Sequence, residues 1–173
     1  MKINFIGVFL AILLASGCNQ TSETKTEKKD GDWLSGGSVD ERFTKVSKQL
    51  RGFDMAMVEV GYRYVELFWA GREQNWDYAA YLVDKIEVAI RNGIERRPKR
   101  GPSAQMIFPT LEELESAISQ KSIQKFNQGY GRLTITCNAC HSAEKVSFVH
   151  VEPPKHRLSP IVWKSPPQKK VGK

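Results

Sequence analysis

From Ser38 onward the apolar positions recur at intervals of three and four, the period of helices that bury one face. Phe43, Val46, Leu50, Phe53, Met57, Val60, Tyr64 and Leu67 form one unbroken seam of this kind. It predicts a first helix of about eight turns, opening at the S-x-x-E capping box Ser38–Glu41 and ending near Gly71. Asn75 is placed to cap a second helix with Trp76, Ala79, Val83, Ile86 and Ile90 inward, stopped by Pro98. The basic run 96–102 reads as a loop. Thr110-Leu111-Glu112-Glu113 reads as another capping box, opening a short third helix with Leu111, Leu114 and Ile118 inward. Ser122 is placed to cap a fourth helix, whose seam runs Ile123, Phe126, Tyr130, Leu133, Cys137 and Cys140. No strand-like alternation precedes residue 147. The expected fold is all-α, an antiparallel four-helix bundle. Most seam residues, Phe43, Val46, Leu50, Val60 and Leu67 among them, then serve only as core.

Before and after that region the pattern changes. Met1-Lys2 precedes an apolar run from Ile3 to Leu14 and the small residues Ala15-Ser16-Gly17-Cys18. The run is too short for a membrane span and has the form of an export signal. Its end resembles a bacterial lipoprotein lipobox, which implies that Cys18 is lipidated and becomes the first mature residue. The alternative is an ordinary signal peptide with an incidental cysteine. Asn19, rather than aspartate, follows Cys18, and that resemblance implies an outer-membrane anchor facing the periplasm. Residues 19–37 are polar and read as a tether reaching on the order of 25 Å. The expected organisation is therefore a signal over 1–17, a lipid-anchored linker over 18–37, the bundle over 38–152 and a basic, proline-rich tail over 153–173.

Composition narrows the class. At 173 residues there is room for one domain, and 40% hydrophobic with 26% charged residues excludes both a polytopic membrane protein and a disordered chain. Three cysteines cannot build a disulfide framework. The net charge of +7 suits an acidic partner or surface. Its cations concentrate at Arg91, Arg96, Arg97, Lys99 and Arg100 and in the tail, which reads as an extended, solvated arm or as a docking arm for an acidic redox partner or anionic headgroups. Nucleic acid is not expected as a partner of an exported lipoprotein.

The chemistry lies at residues 137–141, Cys-Asn-Ala-Cys-His, the C-x-x-C-H pattern of c-type haem attachment. Two thiols one helical turn apart can form thioethers to the two vinyl groups of a porphyrin, while the adjacent histidine reaches the iron. Three other readings compete. A thioredoxin-like redox pair would open a helix after a strand, whereas this motif lies at a helix end. A zinc site from Cys137, Cys140, His150 and His156 has ligand-like spacing but leaves His141 unexplained. A disulfide between cysteines three apart on a helix would be strained.

A haem motif near the end of the last helix of a four-helix bundle resembles the class II cytochromes c, the cytochrome c prime type. Leu67-Phe68-Trp69-Ala70-Gly71 and Asn75-Trp76, taken with the terminal motif, are also similar to a group of small exported monohaem cytochromes. The resemblance implies one covalent haem c held by Cys137 and Cys140, with His141 as proximal iron ligand. If the first and fourth helices are antiparallel, residues 52–57 share the haem's level. Met57 is then the candidate sixth ligand, or a filler against the porphyrin beside Phe53 and Tyr64. Phe148-Val149-His150-Val151 is apolar enough to lie over the haem edge. No carboxylate pair or nucleophile constellation suggests an enzyme. The expected function is electron transfer between periplasmic redox partners, with five-coordinate gas binding (NO or CO) as the alternative and a zinc-stabilised interaction domain as a third. Pairing with a second copy to form a homodimer is left open.

Overall fold

The computed structural model describes residues 32–157 and 159–162, so the segment read as an export signal, Cys18 and most of the expected tether lie outside the described residues. The chain divides into two units, Met1–Arg42 and Phe43–Lys173. In the described part of the first unit, Asp32 accepts from the backbone of Leu34 and Ser35, forming a turn. Ser38 and Glu41 make the reciprocal capping box that opens α1 (Val39–Gln49): the Ser38 amide donates to the Glu41 carboxylate, and the Glu41 amide to the Ser38 hydroxyl.

Beyond α1 the order is α2 (Phe53–Arg72), α3 (Trp76–Arg96), a 3-10 turn over Pro98–Arg100, α4 (Gly101–Ala104), a second 3-10 turn over Gln105–Ile107, α5 (Phe108–Ser119) and α6 (Ile123–Ala143). The described residues contain no strand. Helices α2, α3, α5 and α6 pack together as four. Leu67, Leu82, Val83, Ile86, Leu111, Leu114, Phe126 and Leu133 fill the space between them. Tyr64 and Tyr130 stack with centroids 4.8 Å apart, and the Tyr130 hydroxyl donates to the Tyr64 carbonyl at 3.0 Å, tying α2 to α6.

Several expectations are corrected. The long first helix breaks after Gln49: Arg51 takes a left-handed φ of 57°, Gly52 stands at the N-cap of the new helix, and Asp54 in its first turn accepts from the Gly52 amide at 3.0 Å. The seam continues across the break but its burial does not. Phe43 is 70% and Leu50 57% exposed, whereas Val60 and Leu67 are buried. Residues 98–107 are successive helical turns, so the loop expected over 96–102 is helical apart from Arg97. The third helix of the core begins at Phe108, and Thr110 does not cap it. Thr110 is buried, and its hydroxyl lies 3.2 Å from that of Thr136 on α6. Ile123 is on the exposed side of α6. Asn75 and Ser122 do cap their helices, accepting from Tyr78 and Lys125 respectively.

Candidate functional site

Helix α6 ends in a left-handed turn that sends the chain back past the helix. The Lys145 amide donates to the Ser142 carbonyl at 3.1 Å and the Val146 amide to that of His141 at 2.8 Å, with Lys145 at φ 60°. This is a Schellman closure with lysine where glycine is usual. The Val149 amide then turns back onto the Val146 carbonyl at 2.8 Å. Two side chains of the motif grip the returning segment. Asn138 donates from Nδ2 to the Val151 carbonyl at 2.9 Å and accepts on Oδ1 from the Val151 amide at 2.8 Å. His141 Nδ1 lies 2.6 Å from the Val149 carbonyl oxygen, which can only accept, so Nδ1 carries the proton and Nε2 holds the free lone pair.

Between this segment, the first half of α2 and the short helical turns that carry Arg100, Ala104 and Ile107 lies a cavity of about 450 Å³, within the usual size of cofactor sites. Cys137, Cys140 and His141 line it from α6, and Phe53, Met57, Val60 and Tyr64 from α2. Val146, Val149 and Val151 close it from the returning segment. Thus the three motif residues and Met57, 80 positions earlier than Cys137, meet at one apolar space. Met55 is not part of the lining. Phe148, expected to help cover the site, is 84% exposed and points away from that role, while Val149 and Val151 take it.

Cys137 and Cys140 are free thiols. Burial pushes the Cys137 thiol up to about 12, and the neighbouring Cys140 adds to the shift. Burial also raises Cys140, partly offset by the Arg100 guanidinium. Both sulfurs are therefore neutral near pH 7, the opposite of an activated redox thiolate. Burial raises Tyr64 as well; its hydroxyl, 2.7 Å from that of Thr134, is committed to α6. Arg100 and Glu144, both at the cavity, form an ion pair.

His150 and His156 are exposed and do not join the cysteines. Among the described residues no group of three or more His, Cys, Asp or Glu is close enough to hold a metal ion, so the four-ligand zinc set is not assembled. An iron porphyrin asks for something different: an apolar slot, two neutral thiols one turn apart, and one imidazole nitrogen with a free lone pair. The donor set here fits those demands on each count.

Asn138, Glu144 and Thr136 went unnoticed in the sequence, and Arg100 stood out only as one of a basic cluster and not as part of this lining. Only the amide side chain inside the motif offered a signal, since Asn can grip a backbone N–H and C=O together. The tail also differs from a solvated arm as far as Arg157, whose guanidinium bonds Glu73 at 2.6 Å and the fully buried Glu66 at 3.3 Å.

Compared with known proteins, the chain matches no family model, no curated protein and no solved structure.

Proposed function

We propose that the protein is an exported, lipid-tethered monohaem c-type cytochrome that passes single electrons between periplasmic partners. The observation that carries the reading is the meeting of Cys137, Cys140, His141 and Met57 on one apolar cavity. Cys137 and Cys140 would each add across one vinyl group, sulfur to one carbon and hydrogen to the other. His141 would hold iron through Nε2, its Nδ1 proton being committed to the Val149 carbonyl. Bound haem supplies a reversible one-electron centre. The valines of the returning segment would keep water from it, and Met57 is the sixth ligand we assign. Arg100 at the cavity, with exposed Arg97 and Lys99 just before it in the chain, favours an acidic redox partner. Lipidation at Cys18 would hold the domain at the periplasmic face of the outer membrane.

One observation favours gas binding as a second reading: apart from the Met57 thioether and Asp54, whose carboxylate pairs with Arg51, the α2 lining of the cavity is apolar, and Tyr64 already spends its hydroxyl on Thr134. The mature protein's mass and its reduced spectrum decide. A mass increase of one haem that survives denaturation is expected, as is a low-spin reduced form indifferent to carbon monoxide. Met57→Leu conserves volume and should keep the fold within about 1.5 kcal/mol while opening the iron to carbon monoxide. A wild-type protein that binds carbon monoxide promptly, unaltered by Met57→Leu, would instead establish the gas-binding reading. No covalent haem, or a normal spectrum in His141→Ala, would reject both.

A further inference from the structure

The motif's second residue is ordinarily interchangeable, because it touches neither vinyl group nor iron. Here it has a specific partner. Asn138 and His141 are three apart on α6 and so share a face. That face meets the returning segment at two points two residues apart, Val151 and Val149. Asn138 brackets Val151 with both ends of its amide, which also fixes which end is oxygen and which nitrogen. Val151 is half-buried against the core and lines the cavity.

We propose that Asn138 is a positioning residue for His141. By pinning Val151 it holds the Val149 carbonyl over Nδ1, which fixes the imidazole's tautomer and plane and strengthens Nε2 as a donor to iron. The inference rests on the haem reading for its iron-side consequences, but not for the tautomer. A hydrogen bond from Nδ1 to a carbonyl makes the ring more electron-rich and favours ferric iron, so loosening it raises the reduction potential. Asparagine is required because Val151 presents one donor and one acceptor. Aspartate would meet the Val151 carbonyl with a second acceptor, and leucine would offer neither bond.

In the haem-loaded protein, Asn138→Asp and Asn138→Leu are expected to raise the potential and, in the Met57→Leu background that leaves ferrous iron five-coordinate, to lower the iron–imidazole stretching frequency. The Val149 and Val151 amides should exchange about tenfold faster, the loss of roughly one hydrogen bond's worth of protection. Arg157→Gln, which loosens the chain beyond Val151, should leave potential and stretch unchanged. Faster exchange with an unaltered potential and stretch in the Asn138 variants would overturn the proposal. So would an equal shift in Arg157→Gln, because general loosening would then suffice. In the haem-free protein, nitrogen-15 shifts of His141 should show the Nδ1-protonated ring, moving toward the Nε2-protonated form in Asn138→Leu. A wild-type ring already protonated at Nε2 would sink the proposal whatever the fate of haem. A chain without covalent haem but with the expected ring would sink only the functional reading.

Discussion

The Cys137 thiol is unusual because it is reactive chemistry kept neutral by its surroundings. Burial, followed by the neighbouring Cys140, moves its ionisation from 9.0 to about 12. An unfolded chain ionises near the ordinary value, so between these limits the haem-free native state binds a proton that the unfolded state has lost. Stability then falls as pH rises across that window and is fully present below it. Tyr78, raised from 10.0 to about 12 by burial and then by Glu66, adds to the upper part of the same decline. Urea unfolding of the haem-free protein should therefore give midpoints that drop from pH 9 upward, with Cys137→Ala flattening the curve between pH 9 and 10. Parallel curves for the two proteins would contradict the burial argument. The same residue shows what was legible beforehand. Spacing alone exposed Cys137, Cys140 and His141, because haem attachment demands that spacing. Asn138 stayed hidden because its partner is 13 residues away and is a backbone group, which any residue type could have supplied.

At the scale of elements, a three-four seam reports that a helix is amphipathic and not what covers it. Helices α2, α3 and α6 were legible as core because their seams coincide with burial, down to Leu67, Ile86 and Phe126. Helix α1 carries an equally good seam yet contains no buried residue. The break at Arg51 is a left-handed residue followed by a first-turn aspartate that holds the Gly52 amide, a local event that leaves the apolar spacing intact. Helix ends were masked for a related reason: Gln74, Lys121 and Lys145 occupy left-handed closing positions where glycine would have announced the stop. Thr110 misled in the other direction, since its hydroxyl is used against Thr136 and not at a helix start. The contrast is measurable. Leu67→Ala should cost about 2–5 kcal/mol. Phe43→Ser should stay within about 0.5 kcal/mol. Urea denaturation of both variants checks this, and an equal cost would mean that α1 is covered in solution.

At the scale of the whole molecule, the longest-range polar link among the described residues joins Glu66 to Arg157, 91 positions apart. Glu66 is completely buried and its second oxygen has no hydrogen-bond partner, so its charge depends on Arg157 and on the weaker contact from Tyr78 at 3.4 Å. Glu73, the other carboxylate on Arg157, is a third exposed and can be rehydrated when the arginine leaves. Glu66 has no such recourse. Arg157→Met should therefore destabilise by about 3–5 kcal/mol, the cost of stranding a buried charge. A pair of this kind is not itself a strong source of stability, because both ions were taken out of water to form it. Replacing Glu66 by leucine in the Arg157→Met background should accordingly restore most of the loss, although one more ion-pairing group has been removed. Urea unfolding of the wild type, the single variant and the double variant separates the two terms. If the double variant is as unstable as Arg157→Met, the arginine holds the chain end by packing, and the buried carboxylate is not what its loss exposes.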